Sequence, residues 1–301
     1  MSVSPVPSPV AVARATPSAA NCMAALAHIR RHELALPADT VAMARVVLPT
    51  LSSAANDQWD VLEQVAVAAL QTNEMVLASQ CIRRLAKKFR DSDRVRILIA
   101  MKHEAEGDVQ VAVEMYREII EAKPNSPMAY KRLVAAHKGA GDLTAAANTL
   151  ATYLETYMTD AEAWAELAEL ALENGNYGRA AFCYEELILL EPYNYIHHLL
   201  YAEVMYTVGT PEKLDIALAY FAQAVELSPH GSPRALTGLL MAAARLGGAS
   251  STAAASSAEG PNPAALFKLA RDKLRLLYTA DAPQMLDSFE TMISGLSGSA
   301  Q

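Results

Sequence analysis

Alanine recurs at Ala78, Ala112, Ala146 and Ala180, each 34 residues after the last. A fixed period of this length constrains the fold more than any other feature of the chain. It calls for one small supersecondary unit stacked on copies of itself, because such a unit cannot bury its apolar face alone. Units that begin at Trp59, Asp93, Pro127, Ala161 and Tyr195 bring further positions into register. The seventh is Val65, Ile99, Leu133, Leu167 and Tyr201, and the eighth is Ala66, Ala100, Val134, Ala168 and Ala202. The twenty-fourth is Ile82, Tyr116, Leu150 and Tyr184. In the fifth unit the alanine and the large residue return about three residues late, as Ala217 and Phe221. The simplest register puts the extra residues in the turn around Gly209, Thr210 and Pro211.

Each position has a physical role. Small residues at eight and twenty let two helices approach closely, and large apolar residues at seven and twenty-four fill the space beside them. Pro124, Pro192 and Pro229 stand just past the second helix. Proline ends a helix there because it lacks the backbone donor that continuation needs. Gly107-Asp108, Gly141-Asp142 and Gly175-Asn176 mark the turn between helices. Helix–turn–helix units of this period are tetratricopeptide repeats. The fold expected is all-α, a right-handed superhelical solenoid of tetratricopeptide repeats. Hydrophobic residues make up 52% of the chain and aromatics only 6%. Alanine dominates, which suits helices packed through small side chains.

The ends depart from the period. Residues 1–20, with Pro5, Pro7, Pro9 and Pro17, read as a disordered Pro/Ala/Ser-rich tail. Residues 1–32 contain Arg14, Arg30 and Arg31 and no acidic residue, as a transit peptide does. The prolines spoil the early amphipathic helix that such a peptide needs. Residues 21–34 and 38–54 read as capping helices, the second with Asp39 as its cap. They open an array over 21–246, in which 232–246 match the first helix of a sixth unit. Residues 247–263, rich in Gly, Ala, Ser and Pro, read as a flexible insertion. Helices at about 264–279 and 283–295 form a capping segment over 264–296.

The same sequence argues against catalysis. The net charge of −8 disfavours non-specific nucleic-acid binding, which relies on clustered Lys and Arg. No uninterrupted apolar stretch reaches the roughly 18 residues of a spanning helix. Cys22, Cys81 and Cys183 lack any C-x-x-C pairing and read as buried, reduced thiols. No glycine-rich phosphate loop is present. His28 and His32 have a zinc-compatible spacing but no third ligand. Glu162, Glu166 and Glu169, like Glu185 and Glu186, follow solvated helix faces. Trp59 and Trp164 read as packing residues. No catalytic residue, metal site or cofactor is expected, and the chain reads as a binding protein.

The binding surface expected is the inner face of the array. Positions two, five, nine and twelve of the first helices line it in repeats of this kind. The candidates are Arg94, Ile97 and Met101; Lys131 and Lys138; Glu162, Glu169 and Leu172; and Leu199, Glu203 and Tyr206. This mixture of apolar side chains and both signs of charge suits an extended peptide or a partner's tail. The Lys/Asn/Arg set that clamps chaperone C-termini is not found, and Lys131 and Lys138 come closest to it.

Several runs go beyond the repeat consensus. They are 160–170 (DAEAWAELAEL), 180–187 (AAFCYEEL), 201–209 (YAEVMYTVG) and 220–225 (YFAQAV), with 63–70 (EQVAVAAL) and 234–240 (RALTGLL). Over roughly residues 57–246 the chain resembles the family of subunit 2 of the endoplasmic reticulum membrane protein complex. The tail and the segment after Gly247 depart from that pattern. The resemblance implies a non-catalytic scaffold, peripheral on the cytoplasmic face of the endoplasmic reticulum membrane. Its partners would be cytosolic tails of membrane-embedded subunits and a second soluble subunit. The complex of that family inserts tail-anchored and multi-pass membrane proteins. A free tetratricopeptide adaptor or chaperone co-factor is the alternative.

The packing argument sets a test. Ala180→Leu overpacks a close helix contact and should cost about 1–3 kcal/mol. An unchanged melting temperature would mean that the repeat frame is misplaced.

Overall fold

The structure is a computed structural model that describes residues 8–51, 57–229, 231–247 and 262–298. Most of the expected insertion, 248–261, and the first seven residues of the expected tail lie outside the described residues. The described residues form sixteen α-helices and no strand. Three of them, α1 (Pro9–Ala15), α2 (Ala19–Arg31) and α3 (Pro37–Val47), precede the repeats. Sequential pairs follow: α4 (Gln58–Gln71) and α5 (Met75–Lys88), α6 (Asp93–Glu106) and α7 (Val109–Ala122), α8 (Pro127–Gly139) and α9 (Leu143–Thr156). The series continues with α10 (Ala161–Glu173) and α11 (Tyr177–Leu190), then α12 (Tyr195–Val208) and α13 (Pro211–Leu227). The last three are α14 (Pro233–Arg245), α15 (Pro263–Asp281) and α16 (Leu286–Gly298). None of these helices is long and apolar enough to cross a membrane.

The chain divides into two compact units, Met1–Thr149 and Leu150–Gln301, with the boundary inside α9. In the first unit Ala78, Ala112 and Ala146 have 0% of their surface exposed. Ala66 and Ala100 are likewise sealed, and Ile82 and Tyr116 pack beside them in the core. The second unit repeats the arrangement with Ala180 and Ala217 at the seam, Ala168 and Ala202 opposite, and Tyr184 and Phe221 alongside, all buried. At the junction of α11 and α12 the Tyr201 hydroxyl donates to the Glu185 carboxylate at 2.6 Å.

Helices α5, α7, α9, α11 and α13 begin at residues 75, 109, 143, 177 and 211, always 34 apart. The turn before α13 is therefore no longer than the others, which corrects the expected position of the extra residues. They lengthen the helix instead: α13 has 17 residues where α11 has 14. Thr210 caps its start by accepting the Lys213 amide at 3.4 Å, with Pro211 in the first turn. Three residues make nearly one helical turn, so Ala217 and Phe221 still face the core. The constant turn has a backbone cause. Its residue adopts positive φ in every pair: 59° at Asn73, then 93°, 78°, 67° and 73° at Gly107, Gly141, Gly175 and Gly209.

The expected tail is corrected from Pro9 onward. Ser8 accepts the Ala11 amide at 3.3 Å, and α1 buries Val10 and Ala13. Proline does not oppose a helix when it occupies the first turn, where its missing donor has no intrahelical partner to lose. Asp39 is also reassigned. It lies inside α3, and the residue at the cap is Leu36, which makes no side-chain cap bond. The Arg14 guanidinium donates to the Asp39 carboxylate at 2.8 Å, tying α1 to α3. That bond holds the Asp39 carboxyl below its ordinary range.

An added Cβ at Gly141 would meet nothing within 4 Å, so Gly141→Ala isolates the backbone term. Left-handed backbone costs an L residue about 1–2 kcal/mol, and the variant should lose that much stability in urea titrations. Asn73→Gly should lose none. Unchanged midpoints for Gly141→Ala would remove the turn constraint.

Candidate partner-binding surfaces

The structure divides the predicted inner-face residues by burial. In the first unit Arg94 and Lys131 are exposed, and so is Lys138. Ile97 and Met101 are buried at 6% exposure, packed into the core of that unit, and present no surface to a partner. In the second unit Glu162 and Glu169 are exposed, and Leu172, Glu203 and Tyr206 are half-buried. Leu199 is buried at 4%. The buried apolar members, Ile97, Met101 and Leu199, belong to the packed interior, a role that the spacing could not distinguish from ligand contact.

On α8 the exposed residues Met128, Lys131, Ala135 and Lys138 form a strip at i, i+3, i+7 and i+10. That spacing keeps them on one side of the helix. On α6 the Arg94 guanidinium reaches back to Glu63 of α4 at 2.8 Å. Both stand at inner-face positions of neighbouring repeats, so their pairing orders that surface. Exposed pairs of this kind contribute little to stability. Glu104, at the end of the same row, is half-buried, and burial pushes its carboxyl up from the ordinary range.

The second unit holds a better-formed site. An open cavity of about 590 Å³ is lined by Glu203 and Tyr206 of α12, Phe221 of α13, and Arg234, Thr237 and Met241 of α14. Arg234 donates twice to the Glu203 carboxylate, at 2.6 Å each. This planar, two-pronged pairing fixes both side chains at the rim. The Arg245 guanidinium lies over the Tyr206 ring at 4.9 Å and donates to the Tyr206 carbonyl at 3.3 Å. The cavity thus offers an apolar floor with ordered polar groups at its edge, suited to a side chain of an extended segment. The α14 contributors were not among the predicted residues. The signal was present: with Pro233 as position one, Arg234, Thr237 and Met241 are positions two, five and nine.

A second cavity, about 370 Å³, is lined by Leu154, Met158, Trp164, Phe182, Cys183 and Glu186. Trp164 is buried, donates from its indole to the Met158 carbonyl at 2.8 Å and meets the edge of Phe182. All three cysteines are buried and free. Burial pushes the Cys81 and Cys183 thiols up to about 11, which leaves them protonated and unreactive near neutrality. His28 and His32 pack ring to ring at 4.4 Å. His103, Glu106 and Asp108 approach one another at the α6–α7 turn, where Lys102 already engages Glu106 at 3.2 Å.

Paired helices in a 34-residue register with an alanine seam, and a cleft between two successive first helices, define a tetratricopeptide-repeat protein. The C-terminal part of a tetratricopeptide repeat-containing protein from Cytophaga hutchinsonii has the same fold. It has a TM-score of 0.58 and 15% identity, and the match covers 84% of this chain and 96% of that one. Residues 85–218 match the family model described as the EMC2 TPR-like repeat domain. ER membrane protein complex subunit 2-B of Xenopus laevis is 36% identical over 224 residues, or 74% of this chain and 71% of that protein. ER membrane protein complex subunit 2 of Dictyostelium discoideum is 34% identical over 171 residues, or 56% of this chain and 53% of that protein. The chain belongs to the ER membrane protein complex subunit 2 family.

The α14 contact gives a test of the cavity floor. A Cβ at Gly238 would sit 2.3 Å from the Phe221 ring, itself 1% exposed and unable to swing away. Gly238→Ala should destabilise the second unit by about 1–3 kcal/mol, read by thermal unfolding. Wild-type stability would show that α14 is free to move off α13.

Proposed function

We propose that this chain is a non-catalytic scaffold subunit of the ER membrane protein complex. It works at the cytoplasmic face of the endoplasmic reticulum membrane and associates with it through partners. Its first-helix surfaces hold cytosolic tails of membrane-embedded subunits, and another face docks a second soluble subunit. The complex so assembled inserts tail-anchored and multi-pass proteins, and the insertion route belongs to the membrane-embedded subunits.

The observation that carries this reading is the similarity to named subunits of that complex over 74% of the chain. The surfaces agree with it physically. The exposed strip on α8 combines apolar and cationic side chains, and the cavity adds the fixed Glu203–Arg234 pair, which favours extended segments of defined register. A free adaptor of the same fold would use the same surfaces. It would be recovered with chaperones and without a stable set of membrane proteins.

Affinity purification of the tagged full chain from detergent-solubilised membranes tests the reading. A stable set of multi-span proteins with a second soluble protein should co-purify. Lys131→Glu with Lys138→Glu should weaken one of these contacts about ten-fold, or roughly 1.4 kcal/mol, with an unchanged circular dichroism spectrum. Recovery of chaperones alone would move the function to a free adaptor. Loss of helicity in the double variant would withdraw the α8 strip as a binding surface.

A further inference from the structure

Helix α5 carries a concentration of positive charge that packing does not explain. Arg83, Arg84, Lys87, Lys88 and Arg90 lie within eight residues of a chain whose net charge is −8. All five are exposed. Several cations elsewhere in this unit have acidic partners: Arg14 with Asp39, Arg45 with Glu74, Arg94 with Glu63, and Lys123 with Asp93. Among the described residues none of the five on and after α5 makes an ion pair. Arg83 with Lys87, and Arg84 with Lys88, are like-charge neighbours at i, i+4, a spacing that disfavours the helix. The helix dipole favours cations in the last turn, which accounts for Lys87 and Lys88 but not for the two arginines a turn earlier.

The opposite side of α5 is committed. Ala78, Cys81, Ile82 and Leu85 are buried in the core, so the helix cannot roll over to present an apolar face. Its outward side carries the cations with Val76, which is 74% exposed and in line with Arg83 two turns away. The four helical cations fan over about 140° of the circumference, from the 100° step of the helix. A cleft-bound peptide meets a narrower strip. A convex fan of long, flexible cationic side chains instead matches an extended plane of negative groups.

We propose that the outward face of α5 binds an anionic bilayer surface through lipid phosphates and carboxylates. Basic clusters of about four to eight residues on one helix face are attracted to acidic leaflets in this way. The relatives of this chain are named subunits of a membrane complex, and no described helix of the chain spans a bilayer. Such a face would hold the first unit against the membrane. The inference does not depend on what occupies the first-helix surfaces.

The test is flotation of the purified full chain with vesicles of phosphatidylcholine, with or without phosphatidylserine. The chain should float only with phosphatidylserine, and less as salt is raised. Each neutralised cation should lower the partition coefficient about five-fold, so Lys87→Gln with Lys88→Gln should lower it about 25-fold. Arg83→Gln with Arg84→Gln should do the same, and it carries the test if the lysine pair misfolds. Lys123→Gln, whose cation is already matched by Asp93, should have little effect. Absence of phosphatidylserine-dependent flotation overturns the proposal, as does flotation that both double variants leave unchanged. Two further results overturn it by assigning the face elsewhere. One is self-association that the double variants abolish without vesicle binding. The other is retention on immobilised polyglutamate without vesicle binding.

Discussion

Close approach of helix backbones at an alanine seam is the contact on which the other features of each unit depend. Ala78, Ala112, Ala146, Ala180 and Ala217 all have 0% exposure, and a larger residue at any of them would hold the helices apart. The seam works only if each hairpin reverses at the same point. That reversal needs one residue with positive φ, supplied four times by glycine and once by Asn73. Asparagine is the L residue that adopts this backbone most readily after glycine, which is why the first hairpin keeps the register without a glycine.

With the seam settled, the remaining faces of each hairpin divide by chemistry. Along the first helices the apolar residues Ile97, Met101 and Leu199 are buried, and the charged members of the row remain at the surface. The paired Arg94 and Glu63, and the paired Arg234 and Glu203, brace neighbouring repeats and hold their side chains in fixed positions. Such bracing contributes little to stability in solvent, yet it lowers the entropy that a bound segment would have to overcome. The outward half of α5 has no such bracing, and its charge stays available.

Much of the fold was legible because the period encodes packing directly. Small and large apolar residues recur where helices touch, and the start of each second helix falls on the period. The site was legible only in part. Glu203 and Tyr206 do line a cavity, but their partners Arg234, Thr237 and Met241 follow the lengthened α13, which throws them off the 34-residue count. The prolines near the N-terminus misled for a related reason. Proline prohibits a helix interior but suits a first turn, and only the capping bond from Ser8 and the burial of Val10 decide which applies.

The sequence by itself determined the repeat unit, its helices, the seam and the family, because these depend on residue identities at fixed spacing. Tertiary structure decided which members of each row are covered, since coverage depends on what the neighbouring helix presents. It also decided that the three added residues lengthen α13 rather than its turn. A helix can take up nearly one full turn and keep its buried stripe facing the core, whereas the turn backbone has no such freedom.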